Sequence, residues 1–323
     1  MPSRAGAACV LGEPALHHVP PRRYLMARYV TVAAVSERPG SDYDAVHARA
    51  AMFVQRAKRM GADIIAFPEC HPHTALPGRA YDKAEPLDGR SLTFMGEQAR
   101  QHGLHVIWPL YTLEDSRAYN SAVLLAPTGQ VIGVYHKMFP VDREMTEAGL
   151  TPGDGPRVFD TDLGRLGMVI CFDLNFPEIM QGTGDAGAEI IFFCSAYRGG
   201  LQTRLWAYLL GAYVVSAIRD GLGWIVDLSG QVLGEATYEA LLTRRLNLDR
   251  KLLHMDYNWD KMDDMLARYG PHLTVDFFTP EGCWALGSES DAFTVDDVIR
   301  EFGLEPREDY FSRSRRLREE ALR

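Results

Sequence analysis

Three buried-strand patterns in this chain each stop on one chemically reactive side chain, and that arrangement limits what the chain can fold into. The run 166–170 is apolar and ends abruptly at Cys171, followed by Phe172-Asp173-Leu174-Asn175-Phe176-Pro177-Glu178. Asp, Asn and Pro are the residues of a tight turn. A cysteine on such a corner has its sulfur at a sheet edge with backbone N–H groups nearby, which suits a nucleophile whose oxyanion needs donors. The plain alternative is a core cysteine at a strand end, since free cysteine is among the most buried residue types. Two further stretches favour the nucleophile. Asp63-Ile64-Ile65-Ala66-Phe67-Pro68-Glu69 carries an apolar strand into a proline and then a carboxylate, and Val131-Ile132-Gly133-Val134-Tyr135-His136-Lys137 delivers a lysine. Ligand sites in sheet proteins gather where strand ends converge. There a carboxylate can serve as general base for a thiol, and an ammonium can stabilise thiolate and oxyanion.

The rest of the chain supplies a frame for these strand ends. Patterning predicts strand 29–35, helix 44–60 closed by Gly61, strand 63–67, helix 91–102 closed by Gly103, and strands 104–110 and 119–126. Pro127-Thr128-Gly129-Gln130 is a turn, so 121–126 and 131–136 form a hairpin that aims Lys137. Beyond Cys171 come a buried strand at 189–194, helix 201–210, strand 212–218, a hairpin 224–234 and a last strand 241–248. This alternation fits an α/β chain with two mixed sheets flanked by helices. Loop 70–88, rich in Pro, Gly and His, follows a strand end, where long loops shape binding sites.

The set of motifs resembles the nitrilase superfamily of carbon–nitrogen hydrolases, in its amidase-like branch. The resemblance rests on Phe67-Pro68-Glu69, Tyr135-His136-Lys137 and Cys171-Phe172-Asp173-Leu174-Asn175-Phe176-Pro177-Glu178 occurring in that order. Thr151-Pro152-Gly153-Asp154, Val158-Phe159-Asp160-Thr161, Leu163-Gly164-Arg165 and Gly167 match as the lead-in to the cysteine. It implies a four-layer α-β-β-α sandwich and a cofactor-free hydrolase of small amides, with nitriles or N-carbamoyl compounds as alternatives for the same triad. It also implies roles for Cys171 as nucleophile, Glu69 as general base and Lys137 with the Phe172 backbone N–H as oxyanion site. A second glutamate is expected between the lysine and the cysteine; its distance from Pro152-Gly153 favours Glu147, with Glu144 as the alternative. Asn175 and Tyr197 are expected to bind substrate. Many family members carry Arg where this chain has Asn175, which lowers support for N-carbamoyl amino acids. At 207–212 the chain also lacks the family's Ala-x-x-Asn pattern. Acyl transfer to an amine is a sister chemistry, and a binding or scaffold protein that kept the fold is the rival from another class.

The implied organisation is an extension at 1–27, a hydrolase domain at 28–250 and a C-terminal extension at 251–323. Met26 stands just before the family-like region as a possible true start. Tyr257, Trp259, Phe277, Phe278 and Trp284 are expected to anchor the tail, whose segment 300–323 is charged and helix-compatible. The resemblance makes this tail a possible oligomer contact and implies a homodimer or a multiple of it. Gly182-Thr183-Gly184-Asp185-Ala186-Gly187 matches G-x-G-x-x-G but precedes a strand, so it reads as a loop with a helix stop, not a dinucleotide site. His71-Pro72-His73 lacks further ligands at metal spacing, so no metal is expected. His136 neighbours Lys137 on a strand and should face the other way. A formal charge of −9 argues against a nucleic-acid partner. No run of 18 apolar residues exists, so no membrane span is expected. Five cysteines, Cys9, Cys70, Cys171, Cys194 and Cys283, without a framework spacing fit a reducing, cytoplasmic compartment.

Overall fold

The structure, a computed structural model, describes residues 28–278 and 281–323. The expected extension 1–27, with Cys9 and Met26, lies outside the described residues, as do the side chains of Phe277 and Phe278.

The first sheet contains β1 (Tyr29–Val35), β2 (Ile64–Ala66), β3 (His105–Glu114), β4 (Arg117–Leu125) and β5 (Val131–His136). The second contains β6 (Val158–Thr161), β7 (Gly164–Ile170), β8 (Ile190–Ser195), β9 (Tyr213–Ile218), β10 (Trp224–Val226) and β11 (Val232–Glu235). The chain then returns to the edge of the first sheet with β12 (Leu241–Asn247). The strand orders are β12-β1-β2-β3-β4-β5 and β11-β10-β9-β8-β7-β6. Both sheets are mixed: β1, β2 and β3 run parallel, as do β7, β8 and β9, while the flanking pairs are antiparallel.

The strand patterns follow from burial on two faces. In the β2 segment, Ile64 and Ala66 point into the core between the sheets, where they join Ile107, Ile170, Phe192 and Val215. Ile65 and Phe67 point outward to α1 (Tyr43–Arg59) and α3 (Arg90–His102), where Phe53, Val54, Leu92 and Met95 cover them. A strand covered on both sides has no polar face, so it reads as a continuous apolar run. The second sheet is covered in the same way by α5 (Pro177–Asp185) and α6 (Leu201–Leu210), through Ile179, Met180 and Ala207 against Val169, Ile191 and Val214. The result is the expected four layers. Two short helices sit in loops at the site: α2 (Ala80–Lys83) and α4 (Asp142–Thr146).

Three expectations are corrected. The segment 182–187 is not a loop: Gly182 and Gly184 lie inside α5, where a Cβ would strike Pro156 or Leu210, and the stop comes at Gly187 with φ +78°. Strand 241–248 is not the last. The chain continues through β13 (Arg250–His254), α7 (Met262–Tyr269), β14 (Leu273–Phe278), β15 (Cys283–Ser288), α8 (Val295–Phe302) and α9 (Arg307–Ala321). These form a three-stranded antiparallel sheet, β13-β15-β14, with its own core of Leu253, Met265, Trp284, Leu286 and Val298. Among the expected tail anchors, Trp284 is buried, but Tyr257 and Trp259 are exposed. The tail is tied to the sandwich by the buried Arg307, whose guanidinium donates to the carbonyls of Tyr208 at 2.6 Å and Leu209 at 3.2 Å. A cation there caps the last carbonyls of α6 and offsets its dipole.

Candidate active site

The strands β2, β5 and β7 end at the same edge of the sandwich, two from one sheet and one from the other, and bring Glu69, Lys137 and Cys171 together. Lys137 Nζ donates to Glu69 Oε1 at 2.8 Å and to Glu144 Oε2 at 2.8 Å. Its own backbone is fixed on both sides, with its N–H donating to Asn120 O at 2.8 Å and its C=O accepting from Gly153 at 2.9 Å. A Cβ on Gly153 would stand 2.3 Å from the His136 carbonyl oxygen, so only glycine allows this approach. Burial works against the lysine's charge, but Glu69, Cys171 and Glu144 outweigh it and hold the ammonium well above the ordinary lysine range.

Glu69 is buried, and its Oε1 also accepts from Asn120 Nδ2 at 2.9 Å. Burial would raise this carboxyl. The Lys137 charge, with hydrogen bonds from Lys137, Cys171 and Asn120, more than reverses that and leaves it below its ordinary value. Cys171 takes φ +49°, the left-handed region that a side chain occupies only under constraint. That turn opens a short 3₁₀ segment, Cys171–Asn175, before Pro177 starts α5. Burial, and next the Glu69 charge, push the thiol up to about 12, against the Lys137 ammonium and the Ala196 backbone N–H, which lower it. At neutral pH the sulfur is therefore protonated and needs a base, and the adjacent carboxylate is ionised and able to act as one.

Asp173 supports this corner from below. Its fully buried carboxylate accepts from Tyr135 Oη at 2.7 Å and from Phe139 N–H at 2.8 Å. Burial pushes it up to about 6, although those bonds pull the other way. At the rim, Tyr197 Oη donates to the Cys171 carbonyl at 3.3 Å. Asn175 donates to the Phe172 carbonyl at 2.9 Å and to Tyr197 Oη at 3.3 Å, and accepts from Gln202 at 2.8 Å. Phe172 packs edge-on to Phe176 and is partly exposed. All three expected substrate-facing residues thus lie around the cysteine.

The two candidate second glutamates separate. Glu144 sits on α4 and accepts from Lys137, from Asn120 at 3.1 Å and from the Val141 N–H at 2.8 Å. Glu147, which spacing favoured, lies past the end of α4 with an exposed side chain 3.7 Å from Arg143. That preference is corrected: the single turn of α4 directs residue 144 inward and residue 147 outward. A cleft of about 470 Å³, lined by Tyr111, Lys83, Arg143, Glu144 and Glu147 among others, opens on this side.

His136 faces away from the site, as expected, bonding Ser121 Oγ at 2.8 Å. His71 and His73 are both buried but not convergent. His73 bonds Glu85 at 3.1 Å, while neither ring nitrogen of His71 has a hydrogen-bond partner, and burial drives its pKa down to about 3. Among the described residues, no group of three or more His, Cys, Asp or Glu side chains is placed to hold a metal ion. Likewise no helix of the described residues is long and apolar enough to cross a membrane. The residue that sequence reasoning missed is Asn120, on β4. It carries no motif, and its role appears only when the hairpin β4–β5 sets it beside both glutamates.

Comparison with known proteins points the same way. The family model described as carbon-nitrogen hydrolase matches residues 31–250. The omega-amidase of Mus musculus is 28% identical over 230 residues, covering 62% of this chain and 83% of its own. Among solved structures, Saccharomyces cerevisiae Nit3, a member of branch 10 of the nitrilase superfamily, superposes with a TM-score of 0.62 at 23% identity, covering 69% of this chain and 92% of its own. A mutant amidase from Nesterenkonia sp. AN1, with the acetamide moiety of fluoroacetamide added covalently at its active-site cysteine, gives 0.61 at 22% identity, covering 78% and 99%.

Proposed function

This chain belongs to the carbon–nitrogen hydrolase family of the nitrilase superfamily, and we propose that it hydrolyses the C–N bond of a small linear amide through a thioester on Cys171. Glu69 takes the thiol proton as sulfur attacks the amide carbon. The tetrahedral oxyanion is received by the Lys137 ammonium and by a backbone N–H, either that of Phe172 or the Ala196 N–H that bonds the sulfur. Losing one such donor typically costs about 2.7–4 kcal/mol of barrier. Glu69 returns the proton to the leaving nitrogen, so ammonia or an amine departs and the thioester remains. Glu69 next deprotonates water, which attacks the acyl carbon. The C–S bond breaks and the sulfur is reprotonated, releasing a carboxylic acid.

The observation that carries this reading is the division of labour at Glu69. Lys137 and Asn120 both occupy Oε1, while Glu69 also hydrogen-bonds the Cys171 thiol. The thiol is thus paired with a carboxylate that the ammonium and the Asn120 amide hold ionised, which is what a general base for Cys171 requires. The relatives named as amidases support amides over nitriles as substrates. The proposal includes assembly as a homodimer or a multiple of it, which light scattering can test. The reaction is tested by ammonia release from a panel of linear amides, N-carbamoyl amino acids and nitriles, with Cys171→Ala as blank. Release from the amides alone, absent in the variant, is the expected result. Release from nitriles alone would overturn the amide assignment.

A further inference from the structure

Lys137, Glu69, Asn120 and Glu144 form a closed ring of hydrogen bonds. Lys137 Nζ donates to Glu69 Oε1, Asn120 Nδ2 donates to that same oxygen and to Glu144 Oε1, and Glu144 Oε2 accepts from Lys137 again. Two carboxylates alternate with two donors, of which only one is charged. Asn120 is fully buried, and its orientation is forced. Both amide protons face carboxylates, and Oδ1 accepts from the Cys70 thiol at 3.2 Å. Turning the amide over would set its oxygen against two anions and strand the thiol of Cys70.

We infer that Asn120 is a positioning residue that reserves Oε1 of Glu69 for the lysine side of the ring and so leaves Oε2 as the atom that takes the Cys171 proton. This rests on the reading of Glu69 as the base. Without the amide, the ammonium is left as the donor to Oε1 of Glu69, and a lysine can draw both oxygens of a carboxylate onto itself. That rotation would remove the base from the thiol. Asn120 also supplies a neutral donor to Glu144, so the lysine need not neutralise two carboxylates alone and keeps its third N–H for the substrate's oxyanion. The Cys70 thiol, one residue after Glu69 and itself at φ +49°, holds the amide in this sense.

The test compares the pH dependence of kcat/KM for ammonia release in wild type, Asn120→Ser and the near-isosteric Asn120→Leu, each checked for fold by circular dichroism and thermal unfolding. Losing hydrogen bonds to charged groups should lower kcat/KM about 10- to 100-fold near neutrality. The acid limb should also move to higher pH, because Glu69 loses a donor that stabilises its charged form. Cys70→Ala leaves Asn120 in place but frees its amide, and should move the limb the same way by less. Folded variants whose limb stays where the wild type has it overturn the inference, as does a lowered melting temperature with no change in the pH profile. Glu69→Gln and Cys171→Ala run in the same panel. If either keeps wild-type turnover, the underlying mechanism fails; if both are silent while the Asn120 variants match wild type, only the role of Asn120 fails.

Discussion

The Tyr135 phenol donates to the buried Asp173 carboxylate at 2.7 Å, and this bond joins the strand that delivers Lys137 to the turn that carries Cys171. Tyr135 lies on β5 of the first sheet and Asp173 in the 3₁₀ turn that follows β7 of the second, so the bond ties the two sheets together at the site. Phe139 N–H, two residues beyond Lys137, donates to the other oxygen of the same carboxylate. One acidic side chain therefore bridges the turn that carries Cys171 and the segment that carries Lys137.

That position predicts a pH signature for stability. Burial raises the Asp173 carboxyl from its ordinary value near 3.8 to about 6, so the folded state holds the proton more tightly than the unfolded chain. The associated stability is full below pH 3.8 and is lost as pH rises towards 6. Asp173→Asn removes this titration. Urea unfolding from pH 4 to 6.5 should show the wild type losing up to about 3 kcal/mol relative to the variant, whatever their constant offset. Parallel curves would contradict the assignment.

The two candidate glutamates are predicted to behave differently. Glu144→Gln withdraws a charged partner from Lys137 and should lower kcat/KM by roughly 10- to 100-fold. Glu147→Gln disturbs an exposed pair with Arg143 at the cleft rim and no bond to Lys137, and should stay within about twofold. Steady-state ammonia release distinguishes them.

Lys137→Met leaves Glu69 buried beside Glu144 with no cation between them. Breaking a buried ion pair from one side typically costs about 3–5 kcal/mol. Denaturant unfolding at neutral pH should show a loss of that order alongside lost turnover, and the deficit should shrink as pH falls and the carboxylates are protonated.

Arg307→Ala uncaps α6 and empties a fully enclosed guanidinium site between the tail and the sandwich. Two carbonyls lose charged donors, each worth about 1.5–3 kcal/mol. The melting temperature should fall by several degrees, and limited proteolysis should release fragments from beyond 250 sooner than in wild type.

Much of this was legible in the sequence because the informative strands are buried on both faces. Ile64-Ile65-Ala66 and 166–170 have no polar side to blur them, and each ends on the residue that matters. Glu144 was legible only in part. Spacing to Pro152-Gly153 cannot tell two glutamates three residues apart, whereas helix direction can. A usable cue was its place three residues after Val141, where an acidic side chain can bond the N–H at a helix start. Asn120 left no cue, since its partners are set by the pairing of β4 with β5 and by a loop 50 positions earlier. The tail was misjudged because its short strands pair with each other in a small sheet. Trp284 is buried there, while the equally aromatic Tyr257 and Trp259 face outward.

The central claim is that sulfur carries the acyl group. The most direct test is a single-turnover reaction with excess enzyme and a linear amide, quenched in acid, with peptide mass and released ammonia measured on the same samples. Wild type should show the acyl mass on the peptide containing Cys171, together with ammonia, and folded Cys171→Ala should show neither. Ammonia from that variant at the wild-type rate would contradict the account.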